Sequence, residues 1–91
     1  MSHDTLKVGY SREFEKILKR ISKKDSKTLD HLEAQMEKVI RFPELGKPLR
    51  YTLKSRRRLH TGSFVLVYEF NNNGIRFLDF NHHDKIYKKY K

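Results

Sequence analysis

The sequence predicts a single α+β domain, in which an N-terminal strand and a helical hairpin pack on an antiparallel sheet of three to four strands. In the first half of the 91 residues, two stretches place apolar residues at helical spacing. The second half has strand-length runs rich in Val, Leu, Phe and Tyr, separated by Gly and Asn turns. No linker, repeat or low-complexity tract divides the chain, so residues 1–91 are expected to form one domain with a short C-terminal segment.

The first predicted elements are a short strand and a helix. Residues 7–10 read as the strand, and Ser11 is a suitable N-cap for a helix over about residues 12–21. The apolar stripe of this helix consists of four residues at positions i, i+3, i+4 and i+7, namely Phe14, Ile17, Leu18 and Ile21.

A second helix follows after a polar break. Residues 22–26 supply a turn and a second N-cap candidate, and helical spacing resumes at Leu29 and continues to Ile40, before Pro43 ends it. Two amphipathic helices joined by a short loop form an antiparallel hairpin, and its apolar side needs a surface to cover.

Three strands are predicted over residues 56–61, 63–70 and 75–81, with Gly62 and an Asn-Asn-Asn-Gly turn between them. Residues 47–55 are expected to form a loop or an edge strand. In the tail, Ile86 and Tyr90 are four residues apart, which favours a short final helix.

The basic charge is concentrated in the second half. Up to Glu44 there are ten basic and eight acidic residues, whereas eleven basic and three acidic residues follow it; no acid occurs between Leu45 and Tyr68. Because basic residues here alternate with neutral ones at strand spacing, nucleic acid is a better partner than a membrane, which would require an amphipathic helix with a basic face. The predicted nucleic-acid contacts are Lys47, Arg50, Lys54, Arg56, Arg57, His83 and Lys88.

The strand at 56–61 arranges its side chains in two rows. Arg56, Arg58 and His60 project to one side, while the intervening residues, Leu59 among them, project to the other. If Leu59 packs on the helices, the basic row lies on the far face of the sheet and is open to a partner. The alternative is an ordinary solvated strand face.

The next strand, 63–70, is apolar on both faces, with Val65 and Val67 on one side and four larger residues on the other. One layer of helices can cover only one face. Either the C-terminal segment of the chain or a partner protein must therefore cover the second face.

Several kinds of site are excluded by the residues. The chain has no cysteine, so disulfides and thiolate-zinc sites are ruled out, and a reducing, cytoplasmic setting is expected. Adjacent His82 and His83 lack the spacing of a metal pair, and no phosphate-binding glycine loop or paired carboxylates occur, so we expect no metal and no cofactor.

A row of Arg, His and Tyr can cleave RNA without a metal, because the ribose 2′-hydroxyl is the nucleophile. Such a site needs a base, an acid and fixed positive charge for the phosphorane. His60 and His82 are the titratable candidates, with Arg56 and Arg58 as the phosphate clamp, and a tyrosine can stack on a base or assist proton transfer.

The order of these elements resembles the RelE/ParE family of type II toxins over nearly the whole chain. The resemblance rests on a Pro-Glu-Leu-Gly-Lys-Pro-Leu turn from Pro43, an Arg-Leu-His-Thr-Gly-Ser-Phe-Val-Leu-Val-Tyr segment from Arg58, and a His-His-Asp-Lys-Ile-Tyr tail from His82.

The RelE-like branch of this family implies a toxin that cleaves messenger RNA in the ribosomal A site and is neutralised by a cognate acidic antitoxin. The resemblance then makes Arg58, His60, His82 and Tyr87 the catalytic residues. At Val65 the sequence departs from the family, which usually has an arginine there that contacts the reacting phosphate. The ParE branch, which inhibits DNA gyrase, or a catalytically weakened member that only binds its antitoxin or nucleic acid, is the alternative.

Overall fold

A computed structural model of the protein describes residues 7–49 and 55–90. In this part of the chain a five-stranded sheet has the order β1-β5-β4-β3-β2, with helices on both faces. The α+β class is confirmed, and the sheet exceeds the predicted three to four strands because β1 and β2 join it as edges. The elements are β1 (Val8–Tyr10), α1 (Arg12–Lys24), α2 (Ser26–Arg41), β2 (Lys47–Pro48), β3 (Arg56–Thr61), β4 (Phe64–Asn71), β5 (Gly74–His82) and α3 (His83–Lys89).

Helix α1 begins at the predicted cap. The hydroxyl oxygen of Ser11 accepts the N–H of Phe14 at 3.0 Å, and the same hydroxyl donates to the Leu78 carbonyl at 3.0 Å. This second bond ties the start of α1 to strand β5. The helix ends at Lys24 rather than near Ile21, because lysine is a good helix former and the polar break continues the helix.

A single residue, Asp25, connects α1 to α2. Its N–H donates to the Ile21 carbonyl, which ends α1, and its carboxylate accepts the N–H of Thr28 at 3.1 Å, which caps α2. The Thr28 hydroxyl, with a smaller contribution from its N–H, lowers the pKa of Asp25. The antiparallel hairpin of α1 and α2 therefore turns with almost no loop.

The larger core lies between this hairpin and one face of the sheet, called here the α1–α2 face. Leu59 packs against this core, so Arg58 and His60 project from the opposite face, as strand periodicity predicted. The fully or almost fully buried members are Phe14, Ile17, Leu32, Val39, Leu66, Tyr68, Ile75, Phe77 and Phe80.

A smaller cluster covers the opposite face, called the α3 face. Val65 and Val67 of β4 pack there with Leu78 and with Ile86 of α3, which is 1% exposed. The second apolar face of β4 is thus covered by the C-terminal helix of the chain itself.

Strand β5 contains a bulge that changes which side chains share a face. Val67 pairs with Asp79 and Tyr68 pairs with Phe77, so Leu78 has no partner of its own. Leu78 packs in the α3 cluster, and Asp79 bonds with residues at the end of α3. A bulge of this kind inserts one extra residue and reverses the alternation beyond it.

The loop from α2 to β2 is fixed by the buried phenol of Tyr68. Its hydroxyl donates to the Pro43 carbonyl at 2.7 Å and accepts the N–H of Gly46 at 2.8 Å. A Cβ at Gly46 would lie 2.7 Å from the Arg58 carbonyl oxygen, so only glycine allows this approach. Arg57 adds a bond from its guanidinium to the Gly46 carbonyl at 2.8 Å.

The predicted β4–β5 turn is confirmed at Gly74, which has φ of +122°. A Cβ at this position would lie 2.3 Å from the Lys7 carbonyl oxygen. Gly74 therefore serves both the turn and the close parallel approach of β1 to β5.

None of the helices within residues 7–49 and 55–90 is long and apolar enough to cross a membrane.

Tyr68→Phe should lower the free energy of unfolding in urea by about 1–3 kcal/mol, because it leaves the Pro43 carbonyl and the Gly46 N–H buried without a partner. The control is Tyr10→Phe, since Tyr10 is 42% exposed. Equal stability of the two variants would show that the phenol does not hold the loop.

Alkaline pH should destabilise the protein through the same residue. Burial raises the pKa of Tyr68, and the Gly46 N–H and the Arg57 charge only partly oppose this. The stabilisation from a neutral buried phenol is complete below the unfolded pKa of about 10 and is lost as the pH rises above it. The free energy of unfolding, measured across this pH range, should therefore decrease less steeply with pH for Tyr68→Phe than for Tyr10→Phe.

Candidate functional site

Three of the residues predicted to be catalytic meet where a side chain of α3 reaches β3. The Tyr87 hydroxyl lies 2.6 Å from Nε2 of His60, and the two rings meet edge to face with centroids 5.9 Å apart. The guanidinium carbon of Arg58 lies 5.6 Å from the centroid of the Tyr87 ring, within cation–π distance. Arg58 and His60 are two residues apart on β3, so they share the face that α3 covers.

The three consecutive arginines of β3 have different surroundings. Arg56 pairs with Glu69 at 3.8 Å, and Arg57 projects to the other face, where it donates to the loop carbonyls. The Nε atoms of Arg56 and Arg58 are both buried without a hydrogen-bond partner, but among the described residues no acid forms an ion pair with Arg58. Arg58 is thus the cation of this row whose charge is left for a ligand.

The floor of the site is apolar. Val65 pairs with His60 and Val67 pairs with Arg58 in the β3–β4 ladder, and both valines are 0% exposed. Val65, where the resemblance implies an arginine, is therefore a core residue beneath α3. Charges above such a floor interact more strongly than they would in water.

A depression of about 280 Å³ opens beside this cluster. Strand β2 pairs with Arg57 and Arg58, and within residues 7–49 and 55–90 no strand lies beside the edge of β3 beyond Arg58. Apolar and basic side chains line the opening, namely Leu45, Lys47, Arg58, Leu59 and His60. This mixture suits a nucleotide, which presents an apolar base face and an anionic phosphate.

Helix α3 is held over the sheet by the buried carboxylate of Asp79, which is 2% exposed. One of its oxygens accepts hydrogen bonds from Nζ of Lys89 at 2.8 Å and from the hydroxyl of Tyr90 at 3.2 Å. The other accepts a hydrogen bond from the N–H of Phe80 at 2.9 Å. Burial, together with the Asp79 charge, raises the pKa of Tyr90. The position of Tyr87 depends on this anchor, which the sequence analysis missed; an acid within the apolar run of β5 was the available signal.

The other predicted contacts are placed as follows. Lys47 lines the depression, Lys88 is exposed on α3, and the ring of His83 lies 6.1 Å from that of Tyr87, centroid to centroid. Arg50 and Lys54 lie outside the described residues.

His82 does not join this cluster, although the sequence predicts that it acts with His60 in proton transfer. Its ring centroid lies 4.4 Å from that of Phe64, which packs with the core of the α1–α2 face. The bulge in β5 reverses the alternation, so His82 projects to the face opposite His60.

Among residues 7–49 and 55–90, no three His, Cys, Asp or Glu side chains come together as a group that could hold a metal ion.

Comparison with known proteins identifies the family. The model of the ParE toxin of the type II toxin-antitoxin system parDE matches residues 8–87. The chain belongs to the RelE/ParE family of type II toxins. The resemblance predicted from the sequence is confirmed.

Within the RelE/ParE family, the chain is 44% identical over 80 residues to a protein of Methanocaldococcus jannaschii that bears the toxin name RelE4; the match covers 85% of each chain. Its fold is similar to YoeB of Staphylococcus aureus, with a TM-score of 0.73, 19% identity, and coverage of 86% of this chain and 97% of that one. YafQ in the DinJ–YafQ complex of E. coli gives a TM-score of 0.65 at 24% identity, covering 91% and 99% of the two chains. These solved structures share the fold of this chain.

Lys89→Met should loosen α3 and lower the free energy of unfolding by about 1–2 kcal/mol. The change removes the ionic hydrogen bond between the half-exposed Lys89 and the buried carboxylate of Asp79. Hydrogen exchange of the Tyr90 amide, which donates to the Ile86 carbonyl, should become faster. Lys88→Met is the matched control, since Lys88 is exposed on the same helix. If the exchange rates of the two variants agree, Asp79 does not anchor the helix.

Proposed function

We propose that this type II toxin is a metal-independent endonuclease that cleaves messenger RNA on the ribosome and thereby inhibits translation in the cytoplasm. The observation that carries the proposal is the cluster of Arg58, His60 and Tyr87 on an apolar floor. It combines a proton-transfer pair with an unpaired cation, which is the combination that attack by a ribose 2′-hydroxyl requires.

The proton transfer runs through the bond between Tyr87 and His60. As the 2′-oxygen attacks phosphorus, Tyr87 accepts its proton and passes its own proton to Nε2 of His60. The bond between phosphorus and the 5′-oxygen then breaks, and the departing oxygen takes a proton back from the pair. The products are a 2′,3′-cyclic phosphate and a free 5′-hydroxyl, so no proton is gained or lost and no metal or cofactor takes part.

Arg58 binds the phosphate and stabilises the charge of the phosphorane. No acid in the described part of the chain forms an ion pair with its guanidinium, so the charge is available for an oxyanion, and a guanidinium can bind two phosphate oxygens at once. This compensates for Val65, because the charge that the family usually places at that position is supplied here by Arg58, two residues before His60 on β3.

His83 is the second imidazole near the reaction. Its ring lies next to Tyr87, and its Nδ1 lies 3.0 Å from a carboxylate oxygen of Asp84, a contact that orients the ring. This makes His83, rather than His82, a candidate for protonating the leaving oxygen directly. Lys47 and Lys88 extend the positive surface along which the messenger is bound.

The partner that neutralises the toxin is a cognate acidic antitoxin. Charge complementarity supports this, since residues 45–91 carry eleven basic and three acidic residues. An acidic segment that covers Arg58 would occupy the phosphate site. We expect a neighbouring reading frame to encode a small acidic protein, and we expect that protein to co-purify with the toxin.

Gyrase inhibition is the less favoured alternative. The family model bears the name of ParE, but the 44% identical relative bears the name RelE4, and gyrase inhibition would not require the contact between His60 and Tyr87. The two functions separate in a simple assay. Inhibition of supercoiling without new cuts in messenger RNA would overturn the nuclease proposal.

Tyr87→Phe should lower the single-turnover rate of cleavage in a cell-free translation extract by about 100-fold, a typical contribution of acid–base catalysis. His60→Gln should lower the rate to a similar extent, because it removes the imidazole that exchanges a proton with Tyr87. Primer extension would locate the cuts at A-site codons.

Arg58→Ala should lower the same rate by about 100–1,000-fold through loss of charge stabilisation. The matched control is Lys38→Ala, which removes an exposed charge on α2 and should leave cleavage unchanged. Wild-type rates in the Arg58, His60 and Tyr87 variants together would move the reaction to another part of the surface.

A further inference from the structure

His82 and the aromatic residues beneath it form a second surface that the proposed reaction does not use. Phe80 is buried, Phe64 stacks on it with centroids 4.9 Å apart and an interplanar angle of 19°, and the His82 ring lies over Phe64 at 4.4 Å and 32°. His82 is exposed, so the column of three rings ends in a flat face that is open to solvent. We call this column the ring stack.

The ring stack borders a groove between α1 and the sheet. The groove has a volume of about 320 Å³, and Phe64 and Phe80 form part of its wall. Its polar wall comes from α1, the α1–α2 connection, α2 and β5, namely Arg20, Lys24, Asp25, Thr28 and Asn81. Arg20 and Lys24 are exposed, and neither forms an ion pair among the described residues, whereas the Asp25 carboxylate is bonded to Thr28.

The groove and the Arg58 cluster lie at the same end of the sheet, on opposite faces. His82 and His83 are consecutive, yet His82 belongs to the ring stack and His83 lies beside Tyr87. The N–H of His83 donates to the Ser63 carbonyl at 2.9 Å, which fixes the junction of β5 and α3 against the β3–β4 turn. A polymer that passes around this turn can contact both sites at once.

We propose that the groove is a second nucleotide subsite, which binds a base and a phosphate of the same RNA strand that the Arg58 cluster cleaves. The inference rests on the proposed function and extends it. The base continues the ring stack by lying on the open face of His82, and Arg20 and Lys24 bind the adjoining phosphate.

An RNA strand fits these features better than an acidic peptide does. An aromatic face and nearby cations are the usual elements of a single-stranded nucleic-acid site, because every base has a π-face and every linkage carries a charge. Acidic side chains would be attracted to Arg20 and Lys24 but would gain nothing from the open ring. The dependence of binding on the ring itself therefore distinguishes the two occupants.

The test uses uncleavable 2′-O-methyl RNA, as a trinucleotide and as an octanucleotide, with binding measured by fluorescence anisotropy at low salt. The octanucleotide is long enough to pass around the turn, and the trinucleotide serves the Arg58 cluster alone. His82→Ala should weaken octanucleotide binding by about 10-fold through loss of one stacking contact, and leave trinucleotide binding unchanged. His82→Phe should restore most of the lost affinity, because it keeps an aromatic face.

Arg20→Ala should also weaken binding of the octanucleotide alone. The dependence of this binding on salt should decrease by the amount expected for the loss of about one phosphate contact. The matched control is Arg12→Ala, which removes the same charge from the opposite end of α1 and should change neither affinity by more than about twofold.

The outcomes separate the two proposals. If Arg58→Ala weakens both oligonucleotides but the His82 and Arg20 variants weaken neither, the groove is not a subsite and the proposed function stands. If Arg58→Ala has no effect on either oligonucleotide, or if neither binds, the subsite is overturned, whereas the proposed function fails only if the Arg58, His60 and Tyr87 variants also cleave messenger RNA at wild-type rates in the translation extract. If a Glu-rich octapeptide displaces the octanucleotide equally well from wild type and from His82→Ala, the groove binds charge alone and the subsite is overturned.

Discussion

The arrangement of this small domain depends on the two apolar faces of strand β4. Four residues of β4 are 0% exposed, namely Val65, Leu66, Val67 and Tyr68. Burial of each large apolar side chain stabilises the folded state by about 1.5–3 kcal/mol. A strand of this kind must be covered on both sides, and the helical hairpin covers only one of them. The short helix α3 is therefore required by the composition of β4, and the covering of Val65 and Val67 is what brings Tyr87 to His60.

The same requirement links stability to the candidate chemistry. Ile86 fills the small cluster, the Asp79 carboxylate binds the last turn of α3, and the residue between these anchors and the basic strand is Tyr87. A site built in this way needs few dedicated residues, because the helix that completes the core also supplies a reacting group. The open edge of β3 beyond β2 then gives access from solvent.

Most elements of the fold could be predicted from the sequence, because they follow from local rules. The Ser11 cap, the helical stripe from Phe14 and the turn at Gly74 each depend on a few neighbouring residues. The rows of β3 were also predictable, since Leu59 can be buried only on the side away from Arg58 and His60. What could not be predicted are the features that depend on contacts distant in sequence. Arg56, Arg57 and Arg58 look alike in a sequence, and only the positions of Glu69 and the Gly46 carbonyl distinguish the paired and structural arginines from the unpaired one.

The bulge at Leu78 has a consequence for how such a chain can evolve. Beyond it, strict alternation would have turned His82 towards the face that carries Tyr87, whereas the extra residue turns it to the α1–α2 face. Loss of the extra residue would return His82 to the α3 face, and no single substitution can do the same. A change of length in this strand therefore alters which surface carries the histidine, whereas a replacement alters one side chain.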